Sequence, residues 1–243
     1  MKPGRLLAHF AAAPAVLALA LPAAASAAQA GGVGPPAAAR DWTQAVAATP
    51  EGGVRMGNPA ARVKFVEFSS ITCPHCAEFS RTASARLRDF YVRSGQVSWE
   101  YRPHLLFPTD PGLFALLQCQ GPEGFFESVA QLYRDQPAWM QRTMAFVSRR
   151  EAALAGMTGP QRAAALVRGA ALDQYFRRRG MSQSRIDACL ADPRNLQRLA
   201  DGTLRAVEEQ DVTGTPTFVI NGVKMEPSGW AEVELRLRAA IGG

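Results

Sequence analysis

Past its first thirty residues, this 243-residue chain contains no apolar run long enough to cross a bilayer, which takes about 20 consecutive apolar residues. Nor does it gather its positive charge: the formal net charge of +6 is spread over many arginines, with no basic block interleaved with aromatics. Nucleic-acid binding is therefore not expected, and Arg177-Arg178-Arg179 reads as a solvated helix end. No internal repeat is visible. Cysteine and histidine are scarce, at four and three residues. Outside the pair Cys73 and Cys76, the remaining candidates for a metal site, Cys119, Cys189, His75 and His104, are scattered. Zinc takes four ligands, commonly as two close pairs, so neither a metal nor any other cofactor is expected.

What is present begins with a leader. "MKPGRLLAHFAAAPAVLALALPAAASAAQA" carries Lys2 and Arg5, runs apolar from Phe10 to Leu21 and ends in Ala25-Ser26-Ala27 or Ala28-Gln29-Ala30. This is the pattern of a secretory signal with a small-residue cleavage site, and Pro14 and Pro22 bracket a run too short for a membrane anchor. The signal is placed at residues 1–27, with cleavage as late as 30. Removal at Ala27 leaves 216 residues and a net charge of +4, an exported protein of one domain or one domain with a large insertion. A Gly/Pro/Ala linker follows at 28–40.

The rest alternates between strand and helix patterns. "VRMGNPAARVKFVEFSS" carries a short strand, an Asn58-Pro59 turn and then a second strand, Val63 to Phe68, leading directly to Cys73. Pro74 suits the first turn of a helix, where its missing N–H is not needed, and apolar residues at helical spacing continue towards Gly95. "QVSWEYRPHLLF" reads as another strand, ending at Pro103 or soon after. From about Pro111 to Arg194 the pattern is helical, broken at Gly121-Pro122, Gln136-Pro137, Gly159-Pro160 and Gly180. A helix follows from Pro193 to about Gln210. "TGTPTFVINGVKM" then gives a proline loop, a strand, an Asn221-Gly222 hairpin turn and a paired strand, and "GWAEVELRLRAAI" is an amphipathic helix. The order implies an α/β sandwich with helices inserted in its middle.

The stretch "SSITCPHCA" carries the chemistry. A structural Cys73–Cys76 disulfide in an exported protein would close too short a loop to stabilise much. A redox pair has more behind it. Free N–H groups and partial positive charge at a helix N-terminus stabilise a thiolate, lowering its pKa to about 3.5–7.5 from about 8.5, and a protonatable His75 acts in the same direction. A stabilised thiolate is a good leaving group, so the couple should be oxidising. Cys73, at the exposed helix start, is expected to attack; Cys76, one turn in, should be buried and resolve the mixed disulfide. Glu67 lies in the apolar run "KFVEFSS", six residues before Cys73. It either faces the core, with a raised pKa and a proton-relay role towards Cys76, or is turned to solvent by strand alternation. Thr215-Pro216 precedes a strand and reads as a turn on local grounds. His104, at a strand end without a visible partner, reads as a surface residue.

Together, "FVEFSSITCPHC", "GTPTFVING" and the helical block between them resemble the DsbA family of exported thiol oxidoreductases, over about Val54 to Ile241. The resemblance implies an α/β, thioredoxin-like fold with an inserted α-helical domain: 41–110 and 193–243 forming the thioredoxin-like part, 111–192 the insertion. It implies Cys73 as attacking and Cys76 as resolving cysteine within Cys73-Pro74-His75-Cys76, Glu67 at the buried acidic position, and Thr215-Pro216 as a cis-proline loop pairing with bound substrate. Dithiol oxidation of reduced exported proteins in a bacterial periplasm, with a quinone-linked membrane partner similar to DsbB, is the implied activity. Thr215 departs from the valine frequent in oxidases of the family, which keeps open a reductase or isomerase, for instance in cytochrome c maturation. A chaperone-like peptide-binding module is the non-enzymatic alternative. With no stretch left for the dimerisation domain of such isomerases, a monomer is expected. Cys119 and Cys189, 70 positions apart in the insertion, are either a structural disulfide worth roughly 4 kcal/mol of loop-closure entropy or two free thiols.

Overall fold

In the computed structural model, which describes residues 40–226 and 228–243, the chain is arranged around one strand. The signal at 1–27 and the linker up to residue 39 lie outside the described residues. That central strand is Val63–Ser69 (β3), preceded by Val46–Ala48 (β1) and Val54–Met56 (β2) and followed by Val97–Pro103 (β4), Thr217–Ile220 (β5) and Val223–Lys224 (β6). The strands form one sheet in the order β1-β2-β4-β3-β5-β6. β3 runs parallel to β4 and antiparallel to β5, and β2 runs antiparallel to β4.

A parallel pair needs a crossover, supplied here by Pro74–Arg86 (α1) and a π-helical continuation through Leu87–Val92. The chain turns back at Gly95 (φ +81), where a β-carbon would meet the Trp42 ring at 2.6 Å. At the other sheet edge Asn221 (φ 49) and Gly222 (φ 82) form the tight turn between β5 and β6, two positive φ angles that the Asn-Gly pair tolerates. β1 is an element the sequence did not announce. Its three residues carry no alternating pattern, and it exists through pairing with β2, Val46 opposite Met56.

Alternation along β3 divides its side chains between two layers. Val63, Phe65, Glu67 and Ser69 share one face. Val63 and Phe65 pack beneath α1 and the C-terminal helix Trp230–Gly242, in a cluster with Phe79, Leu87, Phe218, Val233 and Leu237. Each such aromatic or aliphatic side chain stabilises the fold by about 1.5–3 kcal/mol on burial. On the opposite face, Phe68 and Val219 meet Ala206.

The intervening helices are Asp110–Gln120 (α2), Phe125–Arg134 (α3), Gln136–Ala155 (α4), Gly159–Gly169 (α5), Leu172–Arg177 (α6), Gln183–Ala191 (α7) and Pro193–Gln210 (α8). The break before α6 falls at Ala171 in the left-handed region (φ 57), two residues after Gly169 ends α5. Leu113, Phe114, Phe125, Leu132, Trp139 and Ile186 form a helical core, and Ile71, Cys73, Cys76 and Tyr101 belong to the same cluster. The helical block and the cysteine pair thus share one interior. α8 serves both parts: Leu199 enters the helical core and Ala206 packs on the sheet. A disulfide joins Cys119 on α2 to Cys189 on α7. Among the described residues no helix is long and apolar enough to cross a membrane.

Candidate active site

β3 ends at Ser69, and the chain passes through a buried bend, Ser70-Ile71-Thr72, to Cys73, the N-cap of α1. Pro74 occupies the first turn, where the absent N–H leaves nothing unpaired. Cys73 Sγ accepts from the Cys76 N–H at 3.4 Å, and the thiol donates to the Thr215 carbonyl at 3.3 Å. Thr215-Pro216, joined by a cis peptide bond, reaches the site from a point 142 residues later in the chain. Both cysteines are free thiols.

Cys73 is not at an exposed helix start, as the sequence led us to expect; it is 3% exposed. The Thr215 loop lies against its sulfur, and Gln136 at the start of α4 donates from Nε2 to the carbonyls of Ile71 (2.8 Å) and Cys73 (3.0 Å). Pro74 and His75 are exposed beside it. A groove of about 400 Å³ opens beside His75 and the Thr215-Pro216 loop, walled also by Phe79, Thr82 and Trp230.

The two thiols are driven apart electrostatically. Hydrogen bonding with the Cys76 thiol, helped by Thr215 and by the backbone N–H groups of Cys76 and His75, outweighs burial and lowers the Cys73 pKa to about 5. For Cys76, burial first and then the neighbouring Cys73 hold the thiol far above its ordinary range. At neutral pH Cys73 is a thiolate while Cys76 keeps its proton. Where the sequence pointed to the His75 imidazole, the contact that favours the thiolate is the His75 backbone N–H.

Glu67 faces the core, since strand alternation puts it on the same side as Val63 and Phe65; it is 2% exposed. Oε1 accepts from Ser69 Oγ at 2.6 Å and Oε2 from Trp99 Nε1 at 3.0 Å. Burial outweighs both bonds and raises its pKa to about 7.

The bend before Cys73 is held by residues that carry no local signal in the sequence. Asp110, fully buried at the start of α2, accepts from Ser70 Oγ (2.8 Å), Thr72 Oγ1 (3.0 Å) and the N–H groups of Thr72, Leu106 and Phe107 (3.2, 2.9 and 3.0 Å). Tyr133 of α3 donates to the Ser70 carbonyl at 3.0 Å and pairs with Tyr101 at 2.8 Å. With Gln136, the first three helices of the block each contribute a clamp. His104 is a further correction: it is 4% exposed, because its N–H donates to the Ser69 carbonyl at 3.0 Å and draws it into the sheet margin. Among the described residues no three His, Cys, Asp or Glu side chains cluster as a metal site would require.

Comparison with known proteins gives a consistent picture. A family model described as thioredoxin matches residues 49–238. The crystal structure of a protein-disulfide isomerase from Novosphingobium aromaticivorans superposes with a TM-score of 0.73 at 28% identity, covering 78% of this chain and 97% of that one. That of alpha-DsbA1 from Wolbachia pipientis shares the fold, with a TM-score of 0.63 at 16% identity over 81% of this chain and 94% of that one. A Rickettsia bellii protein provisionally named a protein-disulfide oxidoreductase is 23% identical over 177 residues, covering 72% of this chain and 60% of the relative. The chain spans about half to three-fifths of the curated relatives it matches.

Proposed function

The chain belongs to the thioredoxin family, and from that premise we propose that it is a DsbA-type thiol:disulfide oxidoreductase working as a dithiol oxidase on exported proteins. The observation that carries this reading is the split between the two thiols, with Cys73 lowered to about 5 and Cys76 held protonated by burial. A sulfur that is comfortable as an anion leaves readily and is slow to stay in a disulfide, so the oxidised pair is a strong electron acceptor.

In the oxidising cycle a substrate thiolate attacks Cys73 of the Cys73–Cys76 disulfide. The sulfur–sulfur bond breaks, and the electron pair goes to Cys76, which takes up a proton supplied by Glu67. A second substrate thiolate attacks the substrate sulfur of the mixed disulfide and releases Cys73 as a thiolate. Substrate loses two electrons, the enzyme gains them, and a reoxidising partner must remove them. A quinone-linked membrane protein similar to DsbB fits that requirement, in the periplasm to which a signal at 1–27 would send a monomer. The groove at Thr215 and Pro216 is where an extended substrate segment would pair. The Cys119–Cys189 bond plays a structural part, tying α2 to α7.

Disulfide isomerisation is the second reading, favoured by Thr215 and by the name of the Novosphingobium relative. Oxidative refolding of a reduced, unfolded protein by the oxidised enzyme tests the first reading against the second. An oxidase should transfer its disulfide stoichiometrically and reduce insulin slowly. Efficient rescue of scrambled disulfides by the reduced enzyme, with poor net oxidation, would overturn the oxidase reading. Retention of either activity in Cys73→Ser would overturn both.

A further inference from the structure

Gln136 lies against the redox pair, yet no step of the exchange chemistry uses it. It opens α4 directly before Pro137, at the corner between α3 and α4, and is 5% exposed. Its Nε2 group directs both N–H donors at the backbone beside the reactive sulfur, one to the Ile71 carbonyl at 2.8 Å and one to the Cys73 carbonyl at 3.0 Å. We propose that Gln136 is a positioning residue for thiol–disulfide exchange: it holds the Cys73 backbone where the sulfur is best supported as an anion, so that α4 sets how oxidising the pair is.

Both backbone polar groups of Cys73 are tied. The N–H donates to the Ser70 carbonyl at 3.2 Å, and the carbonyl accepts from the Ala77 N–H at 3.2 Å as well as from Gln136, which fills both lone pairs. Ile71 sits in the buried bend between β3 and α1, and its carbonyl has no backbone donor among the described residues. Gln136 is the donor that keeps it from being buried unpaired. The corner that carries Gln136 is itself fixed. Trp139, 1% exposed, donates from Nε1 to the Leu132 carbonyl at 2.8 Å, and the N–H groups of Ala138 and Trp139 both donate to the Asp135 carbonyl.

The two redox forms depend on this support unequally. In the disulfide, the Cys73 sulfur is held covalently by Cys76. In the dithiol, the anion rests on hydrogen bonds at the helix start, the Cys76 N–H lying 3.4 Å from the sulfur, long enough for a small backbone shift to weaken it. The ionisable groups around Cys73 are His75 and Cys76 on α1, Glu67 on β3, Asp110 on α2 and Tyr133 on α3. Gln136 carries no charge, so it acts through the position of the backbone, and a neutral replacement leaves the charge of the site unchanged.

This role deepens the reading of Cys73 as a thiolate at neutral pH and rests on it. The test is titration of the reduced full chain by ultraviolet thiolate absorbance, together with its equilibrium against glutathione, under reduction mild enough to leave Cys119–Cys189 intact. Gln136→Met fills similar space without donors or charge. It should raise the Cys73 titration from about 5 by about one pH unit and move the glutathione equilibrium about 10-fold towards the disulfide form, one pH unit being a factor of ten. Gln136→Glu puts a negative charge against the same carbonyls and should raise the titration at least as far. Urea midpoints at neutral pH should fall more for the reduced than for the oxidised form of Gln136→Met. In wild type, the Gln136 side-chain N–H resonances should titrate with Cys73 in the reduced form only, a readout that does not depend on how the variants fold.

If Gln136→Met loses stability equally in both redox forms and keeps the wild-type titration and equilibrium, Gln136 serves packing alone and the proposal is overturned, while the reading of Cys73 stands. A titration raised by Gln136→Glu but not by Gln136→Met would assign the effect to added charge and overturn it as well. So would Gln136 resonances that ignore Cys73 ionisation. A wild-type Cys73 that titrates in the ordinary thiol range would overturn the underlying reading and this role with it.

Discussion

Oxidising the Cys73–Cys76 pair removes a titrating thiol from the folded protein, so the reduced and oxidised forms should differ in stability by an amount that depends on pH. The folded Cys73 pKa is about 5, against 9.0 for the free thiol. A depressed pKa contributes stability that is fully present above the unfolded value and is lost as pH falls through the folded one. Between those limits each pH unit adds about 1.4 kcal/mol to the reduced form, and the oxidised form has no such contribution. From pH 5 to pH 7 the gain is about 2–3 kcal/mol. Closure of the four-residue disulfide loop shifts the gap by a constant, and Glu67 titrates in both forms, so neither alters the slope. Urea unfolding of the two forms at several pH values measures the gap directly, using reduction mild enough to leave Cys119–Cys189 intact. Growth of the gap in favour of the reduced form as pH rises is expected. A gap that stays flat from about pH 5 to 8 would refute the claim that hydrogen bonding with the Cys76 thiol, Thr215 and the helix-start N–H groups stabilises the Cys73 thiolate.

Glu67→Gln should change the pH dependence of stability itself. A raised carboxyl pKa gives stability that is present below 4.5 and lost as pH rises through about 7, so wild type should lose about 3 kcal/mol over that window and the variant should not, by urea midpoint. Asp110→Ala removes the acceptor of five donors in the bend before Cys73 and should destabilise by about 3 kcal/mol or more, with a loss of oxidase rate measured on the surviving folded fraction. Replacing both Cys119 and Cys189 by serine opens a loop of 70 positions and should lower unfolding free energy by roughly 4 kcal/mol in denaturant titration, leaving the Cys73 thiolate titration in place.

The sequence made the fold legible wherever a short segment carries its own physics. Val63–Ser69 alternates, Pro74 marks a helix start, and Asn221-Gly222 marks a hairpin; each appears in the structure where the local pattern puts it. Legibility ended where the cause lies far along the chain. Cys73 is buried by a loop 142 residues away, which no pattern around residue 73 encodes. Alternation groups Glu67 with Val63 and Phe65, but which face is covered depends on how α1 and α3 dock. Asp110, Tyr133 and Gln136 meet the bend across 38 to 65 residues, so their clamp is a property of helix packing. His104 looked solvent-facing because nothing in its neighbourhood announces the backbone bond to Ser69.

The central claim is that the Cys73–Cys76 couple is oxidising, and its equilibrium reduction potential against glutathione tests it most directly. The account predicts a potential well above about −180 mV, the region of protein disulfide isomerase. A potential near about −270 mV, the region of thioredoxin, would make the protein a reductase and contradict the account.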